Sequence, residues 1–320
     1  MSFITHDMAC IIERLNRGDI AAIPTETVYG LAADASSSNA INQVFATKQR
    51  PLHQPLIMHI APDWDLTQWV SCIPDYVYAL MESFWPGPLT FILPIKSGAV
   101  NPLITGGQDT VAIRAPKHAM TQDLLNKLGK PLVAPSANPF GKISPTTAEH
   151  VKHSFPLHDF LILDGGRCSV GVESTIISAL QPESYQVLRH GSLDEKQLGL
   201  IAPFKPMAHA SSLRVPGGPS IHYQPEKKLY YAHDITKIAD YVRQNQVLPY
   251  VLTFSQTYSG PHVGHYQFSQ RVEEAAYELY YRVRIADLSV ADCIVIELPP
   301  KSAAWFAVGE KIIKAGQPMV

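Results

Sequence analysis

The stretch MACIIERLNRGDIAAIPTETVYGL, residues 8–31, contains the first helix, strand and turn of the predicted α/β pattern. In its first half, apolar residues recur every three or four positions, which is typical of an amphipathic helix. We expect this helix to occupy residues 1–17 and to end at Gly18. The apolar run IAAI at residues 20–23 then predicts a short buried strand. The polar segment that follows it predicts a turn at the strand end.

Strand and helix patterns alternate through the rest of the first 200 residues, which predicts an α/β architecture. Strands are predicted at residues 55–60, 89–93, 110–115, 132–134, 160–163, 175–179 and 185–188. Helices are predicted at residues 76–84, 118–128 and 148–154, and after a cap at Ser37 or Ser38. Because the last strands follow each other closely, we expect a mixed sheet.

The pattern changes between residues 202 and 225, where prolines accumulate at positions 203, 206, 216, 219 and 225. A proline-rich segment without periodicity predicts a semi-rigid linker. We therefore expect a domain over residues 1–201, a linker over 202–225 and a small C-terminal α/β domain over 226–320. In the last part, strands are predicted at 228–232, 250–254 and 293–298, and helices at 272–285 and 305–314.

Composition excludes several classes of protein. Hydrophobic residues make up 46% and charged residues 17% of the chain, enough apolar material for a buried core. The formal net charge of −2 argues against binding nucleic acid mainly through phosphates. The four cysteines include no CxxC pair, which argues against structural zinc and fits a reducing compartment. No apolar run approaches the roughly 20 residues of a membrane span, so we expect a cytoplasmic protein without membrane association.

Common nucleotide and catalytic motifs are absent from the sequence, including GxGxxG, HExxH, GxSxG and the kinase set. Residues 136–142, SANPFGK, are similar to the end of a phosphate-binding P-loop. However, Ser136 replaces its first glycine, and Pro139 would disrupt the loop. Phosphate binding would therefore need another arrangement.

Two cations end the second predicted helix, in the sequence KQRP at residues 48–51. Lys48 and Arg50 either interact with the helix dipole or clamp a polyphosphate. Pro51 forces the chain out of the helix and fixes the direction of Arg50. We expect Arg50 to be an exposed cation that contributes little to stability.

Thr110, Ala112 and Arg114 share one face of a predicted strand, because side chains alternate along a strand. An arginine buried there without a partner would be costly. The pattern therefore predicts either a ligand carboxylate or an internal salt bridge for Arg114, and it leaves both open.

The stretch APSANPFGKISPTT at residues 134–147 leaves a strand through prolines and small residues and enters a helix. Its small polar side chains would let backbone donors approach a ligand closely, so we interpret it as a binding loop rather than a capped loop. The segment PTETVYGL at residues 24–31 is by itself more typical of a polar turn. His59, a lone strand histidine, is more often a satisfied core residue than a ligand.

Taken in order, these segments resemble the YrdC-like family, in its long two-domain form that makes threonylcarbamoyl-AMP. The segments are PTETVYGL (24–31), KQRP (48–51), PLIMHI (55–60), FWPGPLT (84–90), VAIRAP (111–116), APSANPFGKISPTTAEHV (134–151), DGG (164–166), GVESTI (171–176), LRHG (188–191) and HYQP (222–225). The C-terminal part is similar only loosely, through LYYRVR at 279–284 and KA at 314–315. There, AAWFA at 303–307 stands where the family has a glycine-rich, arginine-containing stretch.

The resemblance implies a twisted mixed α/β sheet with helices around a large electropositive cavity. In it, L-threonine and bicarbonate would form a carbamate that attacks the α-phosphate of ATP and expels pyrophosphate, with Mg²⁺ on the pyrophosphate group. Such a reaction needs mainly positioning and charge neutralisation, and the resemblance assigns this catalytic work to Lys48 and Arg50. The product would pass to a tRNA threonylcarbamoyl-transfer machinery.

The resemblance also implies two sets of binding residues. The residues facing ATP would be Lys48, Arg50, Gln54, Thr110, Ser136, Asn138, Ser144, Arg189 and Tyr223. The residues around threonine would be Thr27, His59, Arg114, Ala134 and Ser174. Gln54 stands where the family has an asparagine. We expect the linker, residues 202–225, to fold over the cavity as a lid with Tyr223 near the nucleotide.

Three other functions share part of this pattern. A double-stranded RNA or tRNA-binding module without synthase activity would use a concave positive surface, but the net charge of −2 argues against it, leaving at most weak RNA binding. A carbamoyl-transfer enzyme of hydrogenase maturation would carry zinc-finger cysteine pairs and an acylphosphatase domain, and neither is found. A paralogue that has lost synthesis is disfavoured by the intact KQR and SAN stretches.

Overall fold

The computed structural model describes residues 3–202, 213–218 and 222–319, which divide into two compact units. The first unit comprises Met1–Phe140, Pro145–Ser169 and Glu173–Gly218. The second comprises Gly141–Ser144, Val170–Val172 and Pro219–Val320. Residues 203–212 and 219–221 of the expected linker lie outside the described residues, so its action as a lid stays a prediction.

The first unit is an α/β structure in which strands and helices alternate. Its strands are β1 (Phe3–Thr5), β2 (Ala21–Ile23), β3 (Gly30–Asp34), β4 (Ile57–His59), β5 (Leu89–Pro94), β6 (Thr110–Arg114), β7 (Leu132–Val133), β8 (Leu161–Leu163), β9 (Thr175–Gln181) and β10 (Ser184–Arg189). Its α-helices are α1 (Met8–Asn16), α2 (Ser38–Lys48), α3 (Asp75–Phe84), α4 (Pro102–Thr105), α5 (Ala119–Leu128), α6 (Ala148–Ser154) and α7 (Glu195–Gly199).

The strands of the first unit form one ten-stranded sheet in the order β1-β8-β2-β3-β7-β4-β6-β5-β9-β10. The sheet contains parallel pairs (β1–β8, β2–β8, β4–β6 and β5–β9) and antiparallel pairs, such as the late β9–β10 pair. Two strands joined by a short turn pair antiparallel, whereas a helical crossover returns the chain in the same direction. The predicted mixed sheet is therefore confirmed.

Helices cover both faces of this sheet. Ala22 and Leu31 point into a main core that also receives α2, α3 and α6, whereas their neighbours Ala21 and Ala32 point into a second core with α1 and α5. The alternation of strand side chains explains why adjacent residues reach opposite cores. Each fully buried leucine or isoleucine in these cores contributes about 1.5–3 kcal/mol.

The second unit is a smaller α/β structure with an all-parallel sheet in the order β13-β12-β14-β11-β15. Its strands are β11 (Leu229–Ala232), β12 (Tyr250–Thr253), β13 (Gly264–Gln267), β14 (Ile294–Glu297) and β15 (Gln317–Pro318). Its helices are α8 (Ile235–Asn245), α9 (Val272–Leu288) and α10 (Phe306–Ala315). Within the described ranges of the chain, no helix has the length and apolar character needed to cross a membrane.

The N-terminal prediction is partly wrong. Residues 1–17 do not form one helix, because Phe3–Thr5 is an edge strand paired with β8. The helix begins at Met8, where the Asp7 carboxylate accepts hydrogen bonds from the N–H groups of Ala9 and Cys10. A three-residue strand carries no readable periodicity, so only pairing with a distant strand identifies it.

Gly191, just after β10, tests the packing that holds the last two strands. A Cβ atom at this position would clash with the backbone of Glu173 and Thr175. We expect Gly191→Ala to lower the free energy of unfolding by about 1–3 kcal/mol, the usual cost of overpacking. Gly199→Ala is the matched control, because it lies in α7 with no atom within 4 Å of its added Cβ. Urea unfolding of both variants measures this. An equal loss of unfolding free energy in Gly191→Ala and Gly199→Ala would contradict the prediction.

Candidate functional site

The adjacent strands β4, β6, β5 and β9 present one face to the candidate site. On this face Ile57, Ile92, Ala112 and Ile176 form a small apolar cluster with Val215. The residues that alternate with them point into the main core on the other face. The polar residues of this face therefore lie beside a compact apolar floor.

The face of β6 carries the three residues that its alternation predicted. Val111 and Ile113 lie in the main core, so Thr110, Ala112 and Arg114 point the opposite way.

Arg114 forms an internal ion pair with Glu26. Its Nη2 atom lies 2.7 Å from Glu26 Oε1, and each side chain is only 4% exposed. Arg114 Nη1 donates to Thr27 Oγ1 at 2.9 Å, and Nε donates to the Gly87 carbonyl at 3.2 Å. The sequence left open whether this arginine has an internal partner, and the structure shows that it does.

His59 lies next to Arg114, because the parallel register of β4 and β6 pairs these two residues. Burial, and then the charge of Arg114, lowers the pKa of His59 to about 3. The imidazole is therefore neutral at physiological pH. His59 Nδ1 lies 3.2 Å from the Ile57 carbonyl oxygen, which assigns the proton to Nδ1 and leaves Nε2 as an acceptor.

Ser174, the residue just before β9, contacts side chains of β5 and β10. Its Oγ lies 2.8 Å from Thr90 Oγ1 of β5 and accepts a hydrogen bond from Arg189 Nη2 at 2.9 Å. Arg189, the last residue of β10, also donates to the carbonyl oxygens of Ser174 at 3.1 Å and Pro216 at 3.0 Å. These contacts hold the guanidinium group in one orientation, and no carboxylate of the described residues takes part in them.

Lys48 is the last residue of α2 and is almost fully buried. Its Nζ donates to the carbonyl oxygen of Asn138 at 2.6 Å and to that of Ser136. The Phe140 N–H donates to the Lys48 carbonyl at 2.7 Å, so the loop after β7 is tied to the helix end twice. Burial, and then the charge of Arg50, holds the pKa of Lys48 well below its usual range.

Arg50 is buried, with only 8% of its surface exposed, so the expectation of an exposed cation is wrong. Gln49 adopts a left-handed conformation (φ 52°) at the end of α2 and turns the chain inward. Arg50 Nη2 then donates to the Pro55 carbonyl at 2.7 Å, and its guanidinium lies 5.6 Å from the centre of the Phe140 ring. Burial, followed by the charge of Arg189, lowers the pKa of Arg50 to about 10.

Lys48, Arg50 and Arg189 share one electrostatic property. In the part of the chain that the structure describes, none of them forms an ion pair, and the protein acceptors of their hydrogen bonds are backbone carbonyls or a hydroxyl. Buried cations are normally paired, because an unpaired charge loses its hydration without compensation. The arrangement therefore favours an anionic ligand with more than one negative charge.

The other predicted residues of the first unit have simpler surroundings. Ala134 donates its N–H to the Ile57 carbonyl at 3.3 Å, beside His59 in β4. Asn138 directs its side-chain amide to the Pro139 carbonyl at 2.8 Å. Gln54 is half-buried, and its amide lies 3.5 Å from His53 Nε2.

Ser144 and Tyr223 belong to the second unit. Ser144 is fully buried. Tyr223 is also buried, with φ at 64°, and stacks on Tyr280 with ring centres 5.7 Å apart. The Lys311 ammonium lies 5.6 Å from the centre of the Tyr223 ring.

Sequence reasoning missed Glu26 and Thr90 as members of this site. Glu26 lies between two threonines in the segment PTETVYGL, which directly follows a strand. A carboxylate flanked by small hydroxyl residues at the end of a strand could have indicated its role. Thr90 is the last residue of the turn FWPGPLT, residues 84–90, whose sequence indicated a structural role rather than a functional one. Only the pairing of distant strands brings Thr90 to Ser174.

A resident metal site is not evident in this face. Across residues 3–202, 213–218 and 222–319, no group of three or more His, Cys, Asp or Glu side chains could hold a metal ion.

Two family profiles match the chain along most of its length. The family described as "Telomere recombination" matches residues 13–191, and the family described as "Threonylcarbamoyl-AMP synthase, C-terminal domain" matches residues 183–316. The two matches overlap at residues 183–191.

Individual relatives match over nearly the whole chain. The threonylcarbamoyl-AMP synthases of Bacillus subtilis and Pyrococcus abyssi are each 35% identical over 94% of this chain, and the matches cover 90% and 91% of the relatives. The crystal structure of P. abyssi Sua5 complexed with L-threonine is 30% identical, with 100% of both chains covered and a TM-score of 0.88. The chain therefore belongs to the threonylcarbamoyl-AMP synthase family.

Proposed function

We propose that this chain is a threonylcarbamoyl-AMP synthase that joins L-threonine, bicarbonate and ATP for threonylcarbamoyladenosine modification of tRNA next to the anticodon. The observation that carries the proposal is the group of three buried cations, Lys48, Arg50 and Arg189, which have no carboxylate partner among the residues that the structure describes. A triphosphate supplies the negative charge that such a group lacks.

The reaction proceeds in two steps. The ammonium group of threonine first loses its proton to water; the neutral amine then attacks the carbon of bicarbonate, and loss of water leaves a carbamate. A carbamate oxygen then attacks the α-phosphorus of ATP, and the bond from this phosphorus to the bridging β-oxygen breaks, so that pyrophosphate leaves. Because both reactants are anions, fixed cations that reduce their repulsion are the main catalytic requirement.

We assign Lys48 and Arg50 to the catalytic work, because they meet where α2 ends and the loop after β7 begins. Their buried ammonium and guanidinium groups are held by backbone carbonyls and need no rearrangement before the phosphates arrive. The remaining residues assigned to ATP are Gln54, Thr110, Ser136, Asn138, Ser144, Arg189 and Tyr223. For Ser144 and Tyr223, the assignment rests on the sequence resemblance alone.

We assign threonine to the Arg114 end of the face. Arg114 has five N–H donors, of which the contacts to Gly87, Thr27 and Glu26 occupy three. Further donors can therefore bind the threonine carboxylate. His59 Nε2, an acceptor in the neutral ring, suits the threonine hydroxyl. Thr27, Ala134 and Ser174 complete this assignment.

Mg²⁺ stays a proposal and is assigned to the substrate. The described residues offer no cluster of three metal-binding side chains, and Mg²⁺ is commonly held by substrate phosphates with one or two carboxylates. The residues named above therefore act on the phosphates directly. A tRNA threonylcarbamoyl-transfer machinery is the proposed consumer of the product.

The first prediction concerns the substrates. Purified protein with MgATP should release pyrophosphate only when L-threonine and bicarbonate are both present, because the carbamate is the attacking group. Pyrophosphate release, with mass spectrometry of the product, measures this. Equal pyrophosphate release without threonine would contradict the assignment. Release with another amine in place of threonine would indicate a different substrate.

The second prediction concerns the cations. Lys48→Ala and Arg50→Ala should each reduce synthesis about 100-fold or more, the usual loss when a charge-stabilising donor is removed. Arg50→Lys should restore only part of the activity, because a lysine lacks the fork of donors. Lys152→Ala removes an exposed cation of α6 and is the matched control. If Arg50→Ala keeps wild-type turnover and ATP affinity, the segment is only a helix end.

The third prediction separates the two ends of the site. Arg114→Ala would leave Glu26 buried and unpaired, at a cost of about 3–5 kcal/mol, so Arg114→Lys is the better variant. It should raise the KM for threonine about tenfold or more and leave the Kd for ATP nearly unchanged, because only the fork of donors is lost. Calorimetric titration with ATP supplies the control. A collapse of ATP binding would place Arg114 among the phosphate ligands.

A further inference from the structure

The two ends of the proposed site differ in their balance of charge. Lys48, Arg50 and Arg189 have no carboxylate partner among the described residues. Arg114, in contrast, lies 2.7 Å from the carboxylate of Glu26. One end therefore carries a surplus of positive charge, whereas the other is formally neutral.

The Glu26 carboxylate is held through both of its oxygens. Its Oε2 accepts a hydrogen bond from the Lys117 N–H at 3.0 Å, which fixes the side chain. Its Oε1 lies 2.7 Å from Arg114 Nη2, and each side chain is only 4% exposed. The carboxylate is therefore fixed next to the guanidinium group to which we assign the substrate carboxylate.

We propose that Glu26 is a specificity-determining residue that makes the Arg114 end of the site select a zwitterion over a simple anion. This inference rests on the proposed function, in which Arg114 binds the substrate carboxylate. An unopposed Arg114 would attract any anion, including a carboxylic acid, phosphate or pyrophosphate. With Glu26 beside it, an anion is attracted by one charge and repelled by the other.

A free amino acid satisfies both charges, because its carboxylate faces the arginine while its ammonium is attracted by the glutamate. At separations of a few ångström inside a protein, one such charge changes relative affinity by about tenfold or more. Glu26 would also help to keep the triphosphate at the Lys48 end, since phosphate oxygens are repelled from the neutralised end.

3-Hydroxybutyrate, which is threonine without its amino group, tests this inference. Calorimetric titration gives its Kd and that of L-threonine without any turnover. For the wild-type protein we expect 3-hydroxybutyrate to bind about 100-fold more weakly or worse. Glu26→Gln, which keeps an acceptor for the Lys117 N–H, should reduce the ratio of the 3-hydroxybutyrate Kd to the threonine Kd about tenfold or more. Glu26→Asp, which keeps the charge, should retain a ratio close to wild type even if both affinities fall.

Two outcomes would overturn the inference. If Glu26→Gln weakens both ligands equally, the carboxylate only holds Arg114 in place. If the wild-type protein binds 3-hydroxybutyrate as tightly as threonine, no selection for a zwitterion exists, and this result stands even where Glu26→Gln does not fold. Since these are binding measurements, failure of the proposed synthesis is detected separately, by absence of product from the wild-type protein.

Discussion

The buried ammonium group of Lys48 donates hydrogen bonds to the backbone carbonyls of Ser136 and Asn138 where α2 ends. This contact ties the helix to the loop after β7, and the Phe140 N–H closes the connection from the loop side. A buried cation gives up its hydration, and two carbonyls recover only part of that free energy. The cores on both faces of the ten-stranded sheet therefore have to stabilise the site that this lysine organises.

The same constraint explains how Arg50 and Arg189 are held. Neither has a carboxylate partner among the described residues, and the carbonyls of Pro55, Ser174 and Pro216 orient them instead. A carboxylate at these positions would neutralise the cations and weaken their attraction for an anionic ligand. Functional sites commonly retain such unbalanced, pKa-shifting arrangements, which a purely structural ion pair would remove. Arg114, in contrast, is a buried arginine of the same face that does pair with a carboxylate, that of Glu26.

Local patterns predicted much of the architecture. The strands at β5, β6 and β9 and the helix α6 were predicted to within a few residues, because their alternation and caps lie in short stretches of chain. The helix predicted over residues 1–17 was wrong at its start, since the pairing of β1 with β8 joins segments far apart in the chain. Arg50 was expected to be exposed, yet the left-handed Gln49 turns it inward.

The sequence by itself determined the family, the α/β class and the shared face of Thr110, Ala112 and Arg114. These properties depend on the order of segments and on the period of two residues along a strand. Only the tertiary structure decided that Arg114 pairs with Glu26 and that Ser174 joins Thr90 to Arg189. It also decided that Lys48, Arg50 and Arg189 are buried with no carboxylate partner in the described parts of the chain. Such contacts depend on which distant strands become neighbours in the sheet, and spacing along one chain does not encode that order in a readable form.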